Sequence, residues 1–143
     1  MKIEKQRFFG EYRSFFGNLS QKQVGGLDQL LDAIRADESV TDLRHLAYML
    51  ATIKVECDNT WLPIKEYGGE KYFRRYAAST AKGKELGNIY PKDHALFPGQ
   101  GYVMITGRGN YDRLGKRIGI DLISHPEKPK NQKPHLKLWL SGC

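Results

Sequence analysis

The sequence predicts a mainly α-helical fold with at most one short β-hairpin, and three observations lead to this prediction. Two segments, residues 21–35 and 42–57, carry apolar residues at helical spacing. The one short β-branched run is YVMIT at 102–106, and most of the stretch 58–101 is irregular and rich in turn residues. A chain of 143 residues can bury a core without disulfides or metals, so we expect a single domain over residues 1–143.

The first predicted helix covers residues 21 to about 35. Ser20 and Gln23 have the spacing of a capping box, in which each side chain bonds the other's backbone N–H. Gly25 and Gly26 weaken the first turn and suggest a close contact with another part of the chain. The apolar positions that keep helical spacing are Leu27, Leu30, Leu31 and Ile34.

The second predicted helix runs from 41 or 42 to about 57. Its apolar stripe consists of Leu43, Leu46, Ala47, Leu50, Ile53 and Cys57. Glu56 falls roughly 100° from the centre of that stripe, beside Met49, so we expect it at the rim of the core near the helix end. The helix dipole and partial burial there both favour an uncharged carboxyl group, which is the form that a general acid needs.

The composition indicates which kinds of ligand this protein can bind. The net charge of +7 and the pI near 9.4 predict attraction to a polyanion, and charge alone does not choose between nucleic acid, anionic lipid and the acidic envelope of a bacterium. Two cysteines and four scattered histidines show no metal-ligand spacing, so we expect no metal and no cofactor, and we interpret Cys57 as a core residue. We expect no nucleic-acid binding, because no helix-turn-helix, zinc-finger or RNP pattern is present.

The start of the chain has no apolar secretory core, and no run approaches the ~20 apolar residues of a membrane span. We therefore expect a product made in the cytoplasm, without stable membrane insertion. If it acts on the cell wall or in the periplasm, a holin-type pore is the expected route.

Five motifs occur in order between residues 17 and 127: LSQKQVGGLDQLLDAI, HLAYMLATIKVE, WLPIKEYG, ELGN and GQGYVMITGRGNYDRLGKRIGIDLISHPE. Together they resemble the phage lysozymes related to family 19 glycoside hydrolases, a group of class I-type chitinases and phage or prophage endolysins. The strongest signature, GQGYVMITGRGNY, is similar to the family's G-R-G-x-x-Q-[LI]-[ST]-x-x-x-N-Y stretch. The resemblance implies a lysozyme-like α+β fold with a substrate cleft, and inverting hydrolysis of a β-1,4-linked amino-sugar polymer.

The resemblance also implies roles for four residues. Glu56 would be the general acid, and Glu66, at the end of PIKE, would activate water, with Glu70 as its rival. Thr106 would position that water, and Asn110 would bind substrate, although it could also cap a helix starting at Tyr111. An inverting glycosidase holds its two carboxyl groups ~6.5–9.5 Å apart, so that a water fits between one of them and the sugar.

Further substrate contacts are expected from aromatic rings and from the signature itself. Trp61, Tyr67 and Tyr102 are candidate surfaces for stacking on sugar rings. Gln100, a further candidate contact, stands where the family has the middle arginine of G-R-G. Two other departures are Val55 in place of the histidine before the catalytic glutamate, and Met104 in place of the glutamine before Thr106.

The tail at 128–143, KPKNQKPHLKLWLSGC, departs from the apolar helices with which the family continues. Possible codons for 128–140, read one nucleotide earlier, allow the family-like string Ala-x-Lys-Pro-Glu-Thr-Ala-Ser-Lys-Ile-Met-Val. We therefore hypothesise a frameshifted, truncated product. The alternative is a natural basic tail that binds an anionic surface.

Three functions follow from the resemblance and remain open. The first is hydrolysis of the glycan strands of bacterial peptidoglycan, as in an endolysin. The second is a chitinase, which the absence of disulfide cysteines, a signal peptide and a chitin-binding module disfavours. The third is a truncated, inactive prophage remnant that binds glycan without cutting it. The sequence leaves the oligomeric state open.

Overall fold

The computed structural model describes residues 3–130, and the chain divides into two compact units. The first extends to Leu62 and the second begins at Pro63. Within the described residues, helices account for all regular structure except one two-stranded antiparallel sheet, which confirms the mainly α-helical prediction. The expectation of one domain over 1–143 stays a prediction, because all but the first three residues of the tail at 128–143 lie outside the described residues.

Three helices build the first unit: α1 (Lys5–Phe16), α2 (Gln21–Ala36) and α3 (Leu43–Glu56). The predicted capping box starts α2, because the Gln23 N–H donates to Ser20 Oγ at 3.2 Å and the Ser20 N–H donates to Gln23 Oε1 at 2.9 Å. The bounds of α2 and α3 confirm both predicted helices to within about two residues.

The buried face of α3 differs from the predicted stripe. Leu46, Met49 and Ile53 are buried, and Cys57 directly after the helix is buried too. Leu43 and Ala47 are exposed, so the prediction that both face the core is wrong. The core-facing sector of this helix is therefore centred closer to Met49.

A tight turn follows α3, and Trp61 lies in it with φ at 58°, a left-handed conformation that is unusual for a bulky side chain. The ring is buried, and Nε1 donates to the hydroxyl of Tyr12 at 3.3 Å. A Cβ on Gly26 would stand 2.3 Å from the carbonyl oxygen of Trp61, so only glycine fits at this point of α2. This contact confirms the predicted close approach at the glycine pair.

The second unit is built around a small sheet. Strand β1 (Ile64–Lys65) pairs antiparallel with β2 (Gln100–Gly101), with Ile64 opposite Gly101 and Lys65 opposite Gln100. An isolated bridge from Gln100 to Ile105 then folds the chain back on itself. The short β-branched run at 102–106 thus belongs to a hairpin, in which 102–104 form the turn and Ile105 pairs back with Gln100.

Short helices fill the segment between the two strands, which the sequence pattern left irregular. They are α4 (Glu70–Phe73), a 3₁₀ turn (Arg74–Tyr76), α5 (Ala81–Glu85) and α6 (Asp93–Leu96). After β2 comes α7 (Arg108–Ile118), which begins three residues before the predicted helix, and a 3₁₀ turn (Lys128–Lys130). The main core cluster of this unit consists of Phe97, Ile105, Tyr111, Ile118 and Leu122.

Candidate active site

Glu66 directly follows β1, and the sheet fixes its position. Its N–H donates to the carbonyl oxygen of Gly99, the residue before β2, at 2.7 Å. In return the Gly99 N–H donates to Glu66 Oε2 at 3.2 Å. The side chain is half-buried, so its carboxylate is anchored to the backbone of the neighbouring strand while part of it stays accessible to solvent.

Two tyrosine hydroxyls hold the other oxygen of the same carboxylate. Tyr72 lies in α4 and Tyr76 in the following 3₁₀ turn, and the spacing of four residues brings both rings to one side. Each hydroxyl donates to Glu66 Oε1 at 2.8 Å. An ionised carboxylate, which only accepts hydrogen bonds, fits this set of three donors. Burial, and then the hydrogen bond to Glu66, raise the pKa of Tyr76, so its hydroxyl keeps the proton that it donates.

The Thr106 hydroxyl also lies in the space beside the Cα of Gly99. A Cβ on Gly99 would stand 2.9 Å from Glu66 Oε2 and 3.1 Å from Thr106 Oγ1. Glycine at this position therefore allows the carboxylate and the hydroxyl to approach one point. Two of the residues predicted for the site, Glu66 and Thr106, are thus brought together by the structure.

Asn110 supports Thr106 through the backbone. Its Nδ2 donates to the carbonyl oxygen of Thr106 at 2.7 Å, and its Oδ1 accepts from Arg113. The expectation that Asn110 caps a helix at Tyr111 is wrong, because α7 begins at Arg108 and Asn110 lies inside its first turn. The observed contacts give Asn110 a positioning role, and its contact with substrate remains a prediction.

Glu56 has a different environment. It is the last residue of α3 and it is exposed, so the expectation of a partly buried carboxyl at the rim of the core is wrong. Glu56 is exposed because α3 ends at this residue and the chain changes direction at Cys57. Glu56 forms no side-chain hydrogen bond or ion pair with any residue in the range 3–130. It belongs to the first unit, and Glu66 belongs to the second.

Three of the five expected substrate contacts are buried. Trp61 and Tyr102 are 1% and 0% exposed, so the expectation that their rings stack on sugars is wrong. Gln100 is 4% exposed, and its Nε2 donates to the carbonyl oxygen of Pro126 at 3.1 Å, which makes it a structural residue. Tyr67 is 68% exposed, and its stacking on a sugar ring stays a prediction.

Glu70 was the rival of Glu66 for the second carboxylate. It is exposed at the start of α4, and its side chain pairs with Arg74 at 3.1 Å on the surface. It has no hydroxyl or backbone donors comparable to those of Glu66. The surroundings of the two glutamates therefore favour Glu66.

A buried ion pair that the sequence did not indicate lies behind the site. Asp93 is fully buried and accepts hydrogen bonds from the backbone N–H groups of Ile89 and Tyr90 and, through both oxygens, from Arg108, all at 2.9 Å. Burial opposes the charge, but Arg108 and the two N–H groups outweigh it and hold the pKa of Asp93 below its ordinary value. The guanidinium of Arg108 also lies over the ring of Phe97 at 4.7 Å.

Asn88, also buried, connects this ion pair to the tyrosines. Its Nδ2 donates to the carbonyl oxygen of Tyr76 at 2.8 Å, and its Oδ1 accepts from the Arg108 N–H at 2.7 Å. The turn that carries Tyr76 is thereby tied to the start of α7, just after Thr106. The only signal for this network in the sequence was Arg108, inside the GRGNY stretch.

Residues 3–130 contain no group of three or more His, Cys, Asp or Glu side chains arranged to hold a metal ion. Among the described helices, none has the length and apolar character needed to cross a membrane.

Comparisons of the chain with protein-family models, with curated proteins and with solved structures found no match. The resemblance to family 19-related lysozymes therefore depends on the sequence motifs alone, and the activity and roles that it implies remain predictions. The geometry around Glu66 is independent of that resemblance.

Proposed function

We propose that this protein hydrolyses β-1,4 glycosidic bonds of bacterial peptidoglycan by an inverting acid–base mechanism. The observation that carries the proposal is the difference in hydrogen bonding between the two oxygens of the Glu66 carboxylate. Its Oε1 is occupied by two phenol donors, whereas Oε2 accepts one backbone N–H and lies beside the Thr106 hydroxyl. The net charge of +7 supports attraction to an anionic bacterial envelope.

In the proposed reaction, Glu66 Oε2 and Thr106 Oγ1 hold the attacking water. The water oxygen forms a bond to the anomeric carbon, and its proton passes to Oε2. The bond from that carbon to the leaving oxygen breaks, and the leaving oxygen takes a proton from a general acid, which the resemblance assigns to Glu56. Because water attacks from the face opposite the leaving group, the anomeric configuration inverts.

A second candidate function is binding of glycan without cleavage. Glu56 is exposed and has no hydrogen-bonding partner among residues 3–130, whereas a general acid in a glycosidase is usually held in a defined environment. In this case the Glu66 surface would still contact sugar, but no new reducing ends would form.

The experiment is a digestion of purified peptidoglycan sacculi by the full chain, with chitin as a parallel substrate. We expect new reducing ends from sacculi, and proton NMR at early times should show the α anomer first, as inversion of a β bond requires. Binding without release of reducing ends would support the second candidate, and faster cleavage of chitin would support the chitinase alternative. A first-formed β anomer would contradict direct attack by water.

Glu56→Gln tests the acid separately. If Glu56 is the proton donor, this variant should lose activity on sacculi by about 10²-fold or more, while still binding them. A variant with the wild-type rate would remove Glu56 from the mechanism and leave the role of Glu66 intact.

A further inference from the structure

The guanidinium of Arg75 makes cation–π contacts with the two tyrosines that hold Glu66. Its guanidinium carbon lies 5.0 Å from the ring centroid of Tyr72 and 5.3 Å from that of Tyr76. Both distances are within the ~6 Å range of cation–π contacts. The same two rings donate their hydroxyls to Glu66 Oε1, so the positive charge is attached to the immediate surroundings of the candidate base.

The charge of Arg75 is not compensated by an acidic side chain. Arg75 is exposed and makes no ion pair with any residue that the structure describes. Its neighbour Arg74 pairs with Glu70 at 3.1 Å, and Lys82 pairs with Glu85 at 3.1 Å. Among the described residues, Lys65 likewise lies over a ring, that of Phe73 at 5.7 Å, without an ion pair, but only Arg75 contacts the two tyrosines that hold Glu66.

This arrangement prepares the guanidinium for an external anion. The contacts with the rings use no hydrogen-bond acceptor, so the N–H donors along the edge of the guanidinium stay available to one. That edge fits a carboxylate through two parallel hydrogen bonds. Because the rings already restrict the side chain, less conformational freedom is lost when such a ligand binds.

We propose that Arg75 binds a free carboxylate of the peptide stems of peptidoglycan and so makes the site prefer this polymer over chitin. Peptidoglycan carries such carboxylates along its glycan strand, whereas chitin is uncharged. The inference rests on the proposed function, since it places the stem beside a glycan bound at Glu66. Arg75 is thereby a specificity-determining residue and takes no part in bond breaking.

The test combines a change in the protein with a change in the substrate. Sacculi are used either untreated or with their stem carboxylates converted to amides by a carbodiimide and ammonia. Binding is measured with the Glu66→Gln protein, so that no cleavage occurs, with and without Arg75→Gln. We expect Arg75→Gln to weaken binding to untreated sacculi about fivefold and to leave binding to amidated sacculi unchanged, as suits one exposed ion pair.

Two further variants complete the design. Arg74→Gln is the matched control, and it should bind both substrates like the parent because its charge is already paired with Glu70. Arg75→Met keeps an unbranched apolar side chain over the rings and should behave like Arg75→Gln. Equal weakening on both substrates, or none on either, would overturn the inference.

The failure of this inference can be told apart from failure of the proposed function. If sacculi are cleaved but Arg75→Gln shows no dependence on the stem carboxylates, the specificity role is wrong and the hydrolase proposal stands. If no cleavage occurs but the binding pattern is as expected, the carboxylate site stands and the hydrolase proposal fails.

Discussion

At Glu66, the different hydrogen-bonding environments of the two carboxylate oxygens decide which one can act as a base. Oε1 accepts from Tyr72 and Tyr76 at 2.8 Å each, and both of its lone pairs are thereby engaged. Oε2 has only the longer contact with the Gly99 N–H at 3.2 Å and the Thr106 hydroxyl nearby. In the proposed mechanism, the tyrosines are therefore positioning residues that leave Oε2 to accept the proton of the attacking water.

Removing the tyrosine hydroxyls should weaken this arrangement. In Tyr72→Phe with Tyr76→Phe, we expect kcat on sacculi to fall about tenfold or more, with little change in KM. Initial rates over a range of sacculus concentrations measure both constants.

The control for this pair is Tyr48→Phe, which removes the hydroxyl of an exposed tyrosine in the first unit. It should leave both kcat and KM unchanged. A double variant with the wild-type kcat would contradict the positioning role of the two hydroxyls.

Some residues of the site could be predicted from the sequence, and others could not. Glu66 and Thr106 belong to motifs of the resemblance, and the structure places them around one glycine. The burial of Trp61 and Tyr102 could not be predicted, because it depends on packing between segments distant in sequence. The exposure of Glu56 depends on where the chain turns after α3, which an idealised helical projection does not include.

At the scale of elements, predictability followed the length of the local pattern. α2 and α3 extend over several turns and carry capping residues, so spacing alone located them. α4, α5 and α6 have four or five residues each, too few for a hydrophobic period and too few for independent stability. These short helices are fixed by tertiary contacts such as the buried pair of Asp93 with Arg108.

That buried pair should dominate the stability of the second unit. Asp93→Asn leaves the Arg108 guanidinium, whose side chain is 21% exposed, without its partner, and we expect the free energy of unfolding to fall by about 3 kcal/mol. Asp112→Asn, which breaks an exposed pair with Lys116 within α7, should cost at most about 0.5 kcal/mol. Urea titration at neutral pH measures both variants.

The same pair predicts a loss of stability in acid. The pKa of Asp93 in the folded protein lies below its ordinary value of 3.8, so its contribution is complete above that value and is lost as the pH falls through the folded-state pKa. The difference in unfolding free energy between wild type and Asp93→Asn should therefore shrink below about pH 4. A difference that stays constant from pH 7 to pH 3 would contradict this account.

At the scale of the whole molecule, the two candidate carboxylates belong to different compact units, and only one has a built environment. Glu66 has three donors and a neighbouring hydroxyl, whereas Glu56 is exposed at a helix end. Composition gave the net charge, and the spacing of apolar residues predicted the fold class. The division of the chain into two compact units after Leu62 could not be predicted, because contacts between residues define it. The frameshift hypothesis for 128–143 falls almost entirely outside the described residues.

The measurement that tests the central claim most directly is the rate of reducing-end release from sacculi by Glu66→Gln, beside Glu70→Gln and the wild type. The account predicts that Glu66→Gln is slower than wild type by about 10²-fold or more at an unchanged melting temperature. Glu70→Gln, four residues away on the surface, should keep the wild-type rate. A Glu66→Gln protein that cleaves as fast as wild type, or an equal loss in both variants, would contradict the assignment of Glu66 as the base.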